Sequence, residues 1–292
     1  MTTLNRRVLM ALSLAAIGAN SLPALAQTRN PSRIRVALLP DENAATIIQN
    51  AEPLRLHLEK ELAKSVELVV TTDYSSMIEA ARFGRIEIAY FGPLSYVLAK
   101  SRAPELEPFA VGIERGLPTY NGVLIAQAGG PVAKVEDIKG KSFAFGDQAS
   151  TSSHLIPRAF LAKRDMIAGR DYQAVHLGTH DAVARAVQNG QAPAGGLSKA
   201  ILDNLTSRGT VDKSKIVEIG LSDPIPNYPM VMQGNLAPEL KARIRETFIG
   251  LKDAEILKAF RVQGFAATDD KAYDVLRDTA KVLDLDLTKV RG

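Results

Sequence analysis

The chain of 292 residues contains no cysteine, which excludes disulfides, thiolate metal sites and a cysteine nucleophile. A chain this long buries its core without such staples. After the first 26 residues there is no long hydrophobic run, so the body of the chain offers no membrane span of ~20 apolar residues. Its 36 lysines and arginines are scattered among 32 acids, and no basic run interleaved with aromatics marks a nucleic-acid surface. Neither a Gly-x-Ser-x-Gly elbow nor a repeat of solenoid length occurs.

The first 26 residues have the layout of a cleaved secretory signal. Arg6 and Arg7 precede an uncharged apolar run from Val8 to Ile17, and Ala24-Leu25-Ala26 places small residues two apart before Gln27. The run is too short for a membrane anchor. The arginine pair permits a twin-arginine signal, but Asn5, Val8 and Leu9 match that pattern only loosely, and ordinary export is the expectation. Cleavage there removes two arginines and no acid, leaving 266 residues with a formal charge of +2.

The body then alternates strand and helix. Ile34–Pro40, Val66–Thr72 and Ile86–Phe91 read as strands, with Ala44–Leu62, a helix capped by Ser75 or Ser76, and Leu94–Lys100 between and after them. That order predicts an α/β fold with a mostly parallel sheet. Leu106–Glu114 and Tyr120–Gln127 are further strands, and Gly129-Gly130-Pro131 breaks the pattern near an expected inter-domain crossing. A second α/β series follows, and the proline-rich Pro224–Pro229 suits the return. From Ala237 onward the chain reads as helical. Two α/β lobes are expected, one from residues 27–127 and 229–292, the other from 128–228, with the cleft at their interface.

The most informative stretch is Gly146 to Arg158. A strand ending at Phe145 meets Gly146 and Asp147, four consecutive hydroxyl residues follow (Ser150, Thr151, Ser152, Ser153), and an apolar helical run begins at Leu155. Such a turn gathers amides that no earlier carbonyl can take, adds hydroxyls, and lies at the positive end of a helix, so it suits an anion. One hydroxyl would suffice as a helix cap; four exceed that need. Pro157 cannot donate to the Ser153 carbonyl, so the helix must start late or kink.

Other chemistries are weaker. Ser150, Ser152, Ser153, His154, His180 and Asp181 supply the residue types of a hydrolase triad without its motif. His176 and His180 have helical spacing for a metal, but Gly178 and the strand before it put them on different elements.

Four segments together are similar to one family: Thr72-Asp73-Tyr74, Ile88 to Tyr96, Gly146 to Arg158, and Gly178-Thr179-His180-Asp181-Ala182. They resemble the periplasmic phosphonate-, phosphite- and phosphate-binding proteins of ABC transporters, the PhnD-type group of two-lobed solute-binding proteins of type II. The resemblance implies a non-enzymatic periplasmic binding protein without cofactor or metal, expected as a monomer, which delivers an oxyanion to a transporter permease. A related alternative is a sensor subunit that presents the oxyanion to a histidine kinase. It also implies the ligand groups: Ser150, Thr151 and Ser152 with their amides, the Tyr74 hydroxyl, His180, and Tyr90 or Phe91. One departure is Ala192-Pro193-Ala194-Gly195-Gly196, where relatives commonly carry an acid. The vicinity of Lys199 and Ala200, where a carboxylate could hold a substrate amine, has none either, which favours a small oxyanion over an aminoalkylphosphonate.

Overall fold

The computed structural model describes residues 28–287, so the expected signal segment lies outside the described residues. Two sheets organise the chain. The first has six strands in the order Phe265–Ala267, Glu107–Gly112, Pro229–Met232, Ile88–Tyr90, Arg33–Leu38 and Ser65–Val70. Arg33–Leu38 runs parallel to both Ser65–Val70 and Ile88–Tyr90, as helical crossovers require. Pro229–Met232 returns antiparallel between Ile88–Tyr90 and Glu107–Gly112, so the last part of the chain completes the lobe that the first part began.

The second sheet has five strands in the order Ile216–Leu221, Gly122–Gln127, Ala194–Ser198, Ser142–Phe145 and Gln173–His176. The fold is therefore α/β with two lobes. Between them Thr119–Tyr120 pairs antiparallel with Ile225–Pro226, a ribbon formed by the two crossings. The expected boundary after Gln127 is thus misplaced. Gly122–Gln127 belongs to the second sheet, where Val123–Ala126 is buried on both faces between two neighbours. Gly129-Gly130-Pro131 turns the chain within that lobe rather than between lobes.

Helix Ala44–Leu62 starts at Asn43, whose side chain accepts from Thr46 N at 3.2 Å, and buries Ala51, Leu54, Leu58 and Leu62 on one stripe. Helices Pro238–Ile249 and Ala254–Ala259 pack beside it. Two further details differ from the sequence expectation. The carboxylate of Asp73, not a hydroxyl of Ser75 or Ser76, caps helix Tyr74–Arg82 by accepting from Ser76 N at 2.7 Å, which places Tyr74 in the first turn. The supposedly all-helical tail also contains the edge strand Phe265–Ala267, which is too short to show a period.

Candidate binding site

Strand Ser142–Phe145 delivers the chain to Gly146, whose N–H is shared by the Ser153 carbonyl at 3.0 Å and the Ser153 hydroxyl at 2.9 Å. A Cβ at Gly146 would lie 2.7 Å from that hydroxyl oxygen, so only glycine lets the backbone approach so closely. The turn Thr151–Leu155 is under-wound: Leu155 N bonds to the Ser150 carbonyl at 3.1 Å and Ile156 N to that of Thr151, each five residues back. The α-helix then runs from Ile156 to Ala162. This is the distortion that Pro157 demanded. The Ser153 carbonyl that proline cannot serve is taken by Gly146.

The four hydroxyls divide the work. Ser153 donates to the Gly196 carbonyl and serves the interior. Ser150 Oγ accepts from Ser153 N at 3.2 Å, the ordinary cap. Thr151 Oγ1 accepts from Leu94 N at 2.8 Å, across from the other lobe, and keeps its own proton to give. Ser152 Oγ is buried with no partner.

His180 opens helix His180–Gln188 behind the cap residue Thr179. Its amide donates to the Asp41 carbonyl of the first lobe at 2.9 Å. Ser198 N donates to its Nδ1 at 3.0 Å, so that nitrogen is the acceptor and the ring proton sits on Nε2. Nε2 faces Ser150 Oγ at 3.4 Å. Burial, aided by the nearby Arg261 charge, lowers the imidazole pKa to about 3, so the ring is neutral at physiological pH. A nitrogen that already holds a proton cannot take one from Ser150, and the hydrolase arrangement is lost on that ground. His176 is exposed at its strand end, with Nδ1 3.1 Å from the Gly146 carbonyl, and does not join His180.

Of the other buried hydroxyls without partners, that of Tyr172 lies in the second-lobe core, and those of Tyr74 and Tyr120 lie at the turn. Tyr74 lies beside Ser150 and Tyr120 beside Ser152 and Thr151, near enough to interact but not aligned to bond. Burial raises both phenol pKa values, with Asp41 and Asp147 adding to the effect at Tyr74. Both rings remain neutral donors. Of the two aromatic alternatives, Tyr90 lines the cleft, whereas Phe91 is fully buried in the first-lobe core.

Next to these donors is a chamber of about 10 Å³ walled by Tyr90, Tyr120, Tyr228 and Phe260, with Glu114 and Arg261 also lining it. The rings of Tyr90 and Tyr228 and those of Tyr120 and Tyr228 are each 5.3 Å apart, and Phe260 meets Tyr90 edge-on at 4.9 Å. Ala200 lines it from the second lobe, while Lys199 turns away to Asp203 and Glu218. The chamber nevertheless has a carboxylate: Glu114, from the first-lobe side, whose pKa burial raises. Arg261 is held by Asp41 at 3.0 Å and Glu42 at 2.8 Å. Burial pushes Asp41 up to about 6 against the pull of that arginine.

Sequence reasoning missed Tyr120, Tyr228, Glu114, Arg261 and the Asp41-Glu42 pair. Only the position of Tyr120 and Tyr228 beside the crossings could have signalled any of them. A larger surface cavity of about 560 Å³ opens near Pro118, Pro226 and Tyr273, and none of the residues with unpaired hydroxyls lines it. Among the described residues no group of three metal-ligating side chains occurs, and no helix is long and apolar enough to cross a membrane.

Residues 36–273 match the family model described as ABC transporter, phosphonate, periplasmic substrate-binding protein. A phosphate-import protein of Mycolicibacterium smegmatis is 29% identical over 278 residues, covering 89% of this chain and 84% of the relative. The phosphonates-binding periplasmic protein of Escherichia coli is 26% identical over 256 residues, covering 85% and 75%. Among solved structures, a binding component of an ABC phosphonate transporter from Pseudomonas aeruginosa superposes with a TM-score of 0.80 at 25% identity, covering 86% of each chain. A Prochlorococcus marinus protein in complex with methylphosphonate also reaches 0.80, at 21% identity, over 87% of this chain and 99% of that one.

Proposed function

The chain belongs to the family of periplasmic phosphonate-binding proteins of ABC transporters, and from that premise we propose that it captures a small phosphorus oxyanion and delivers it to a transporter permease. The observation that carries this reading is the set of buried hydroxyls without partners, Tyr74, Tyr120 and Ser152, gathered about the turn whose Ser150 faces the protonated Nε2 of His180. A buried donor left unsatisfied costs about 1–3 kcal/mol, and an oxyanion satisfies several at once. These donors are neutral, and Arg261 already has two carboxylates, so the ligand charge is met by hydrogen bonds rather than by a counter-ion.

The chamber sets the size of the ligand. A cavity of about 10 Å³ has room for roughly one water-sized group, so a hydrogen, hydroxyl or methyl on phosphorus fits and an aminoethyl chain does not. Phosphite, phosphate and methylphosphonate are the candidates. The lobes close over the ligand by bending at the ribbon of Thr119–Tyr120 and Ile225–Pro226, and the protein works after export, in the periplasm.

Calorimetry with phosphite, phosphate, methylphosphonate and aminoethylphosphonate tests the reading, with Tyr74→Phe as the companion variant. One of the first three should bind tightest, and Tyr74→Phe should weaken it about tenfold to hundredfold, the worth of a hydrogen bond to a charged group. Binding of none of the four would overturn the function, and an unchanged affinity in Tyr74→Phe would overturn the site.

A further inference from the structure

Glu42 is nearly buried, with 6% of its side chain exposed, and its two oxygens serve different lobes. Oε1 accepts from Arg261 of its own lobe at 2.8 Å, and Oε2 from Arg208 of the second lobe, also at 2.8 Å. Arg261 in turn holds Asp41. The Asp41 carbonyl accepts the amide of His180, again from the second lobe. The loop at residues 41–42 is therefore a seam. When the lobes part, the bond to Arg208 and the bond to His180 break together.

We propose that Arg208 is a positioning residue for ligand retention: with Glu42 and Arg261 it forms a charged clamp across the cleft that holds the closed state without touching the ligand. On the first lobe the cluster of Asp41, Glu42 and Arg261 carries a net negative charge when the lobes are apart. Arg208, at the end of helix Lys199–Ser207, arrives on closure and cancels it. An exposed pair contributes little, but here the shared carboxylate is already oriented by Arg261, so less side-chain freedom is lost when Arg208 docks. The clamp acts on the escape of ligand more than on its capture, because it forms only as the lobes close. Arg208 also keeps about a third of its side chain exposed, at 35%, which makes it replaceable without cost to the core.

The retention role rests on the oxyanion-binding reading, so the test has a ligand arm and a ligand-free arm. In stopped-flow with phosphite, phosphate and methylphosphonate, using whichever binds the parent, Arg208→Gln should dissociate about threefold to tenfold faster with association within about twofold. Arg208→Lys should recover part of the loss, and the ligand-free melting temperature should not move. Ligand-free solution scattering at low salt should give Arg208→Glu a larger radius of gyration than the parent, with the difference erased by high salt. Dissociation and scattering both unchanged would overturn the clamp while leaving the binding function intact. If none of the three oxyanions binds the parent, the binding function fails, and the scattering comparison alone decides the clamp.

Discussion

The hydroxyl turn and the aromatic chamber lie side by side but are built in opposite ways. The turn is local: its donors come from a few consecutive residues, placed by Gly146 and Pro157 within the same stretch. The chamber is assembled, drawing Tyr90, Glu114, Tyr120, Tyr228, Phe260 and Arg261 from most of the chain. On the proposed reading, this local cradle offers one geometry to a common feature, the oxyanion. On the same reading, an assembled wall can change at any one position and so would decide what hangs from that oxyanion. Affinity for the class and selection within it would then be separable.

The largest effect that would break this division concerns the turn. Ser152→Ala should weaken phosphite, phosphate and methylphosphonate alike, by about tenfold to hundredfold. Its ligand-free melting temperature should hold or rise, because the hydroxyl has no partner to lose. Unequal losses across the three ligands in calorimetry would show that the turn also selects.

A smaller effect is expected in the chamber. Phe260→Leu removes a ring from the wall without opening a large void in the cluster it shares with Phe265. The ratio of aminoethylphosphonate to phosphite affinity should rise about threefold to tenfold, with phosphite itself little affected. A uniform loss for both ligands would place Phe260 in lobe packing rather than in selection.

The smallest effect is on stability. Burial holds His154 at about 4, below its usual 6.5, with its Nδ1 2.7 Å from the Gln148 carbonyl. In acid the unfolded chain takes up a proton that the folded site refuses. This contribution is intact above about pH 6.5 and is lost as the pH falls toward 4. The parent should therefore lose more melting temperature between pH 6.5 and 4.5 than His154→Gln does. The comparison is needed because buried Asp41 and Asp147, both raised, change stability in the opposite sense. Equal pH slopes for parent and variant would mean that His154 is not held neutral.

The same contrast explains what was legible in the sequence. The hydroxyl turn and the order of strands and helices are encoded over short spans, where periodicity and capping chemistry act. Tyr90, as against Phe91, needed the structure because adjacent strand residues face opposite ways and both are apolar. Glu114 and Arg261 were invisible because nothing near them in sequence marks a charge that will be buried by residues a hundred or more positions away. The crossing near Gln127 was misread because a glycine-rich turn looks the same within a lobe as between lobes.

Pro157 has a consequence for the hydroxyls that precede it. Because it offers no N–H, the Ser153 carbonyl is free to hold Gly146, and the preceding bonds reach back five residues instead of four. An N–H at position 157 would let the turn rewind toward the α-helix and rotate Thr151 and Ser152 about the axis relative to one another. The imino ring thus sets the phase of the hydroxyls, a thread pitch fixed by a proton that is not there, and fixes it from a residue that makes no claim on the ligand.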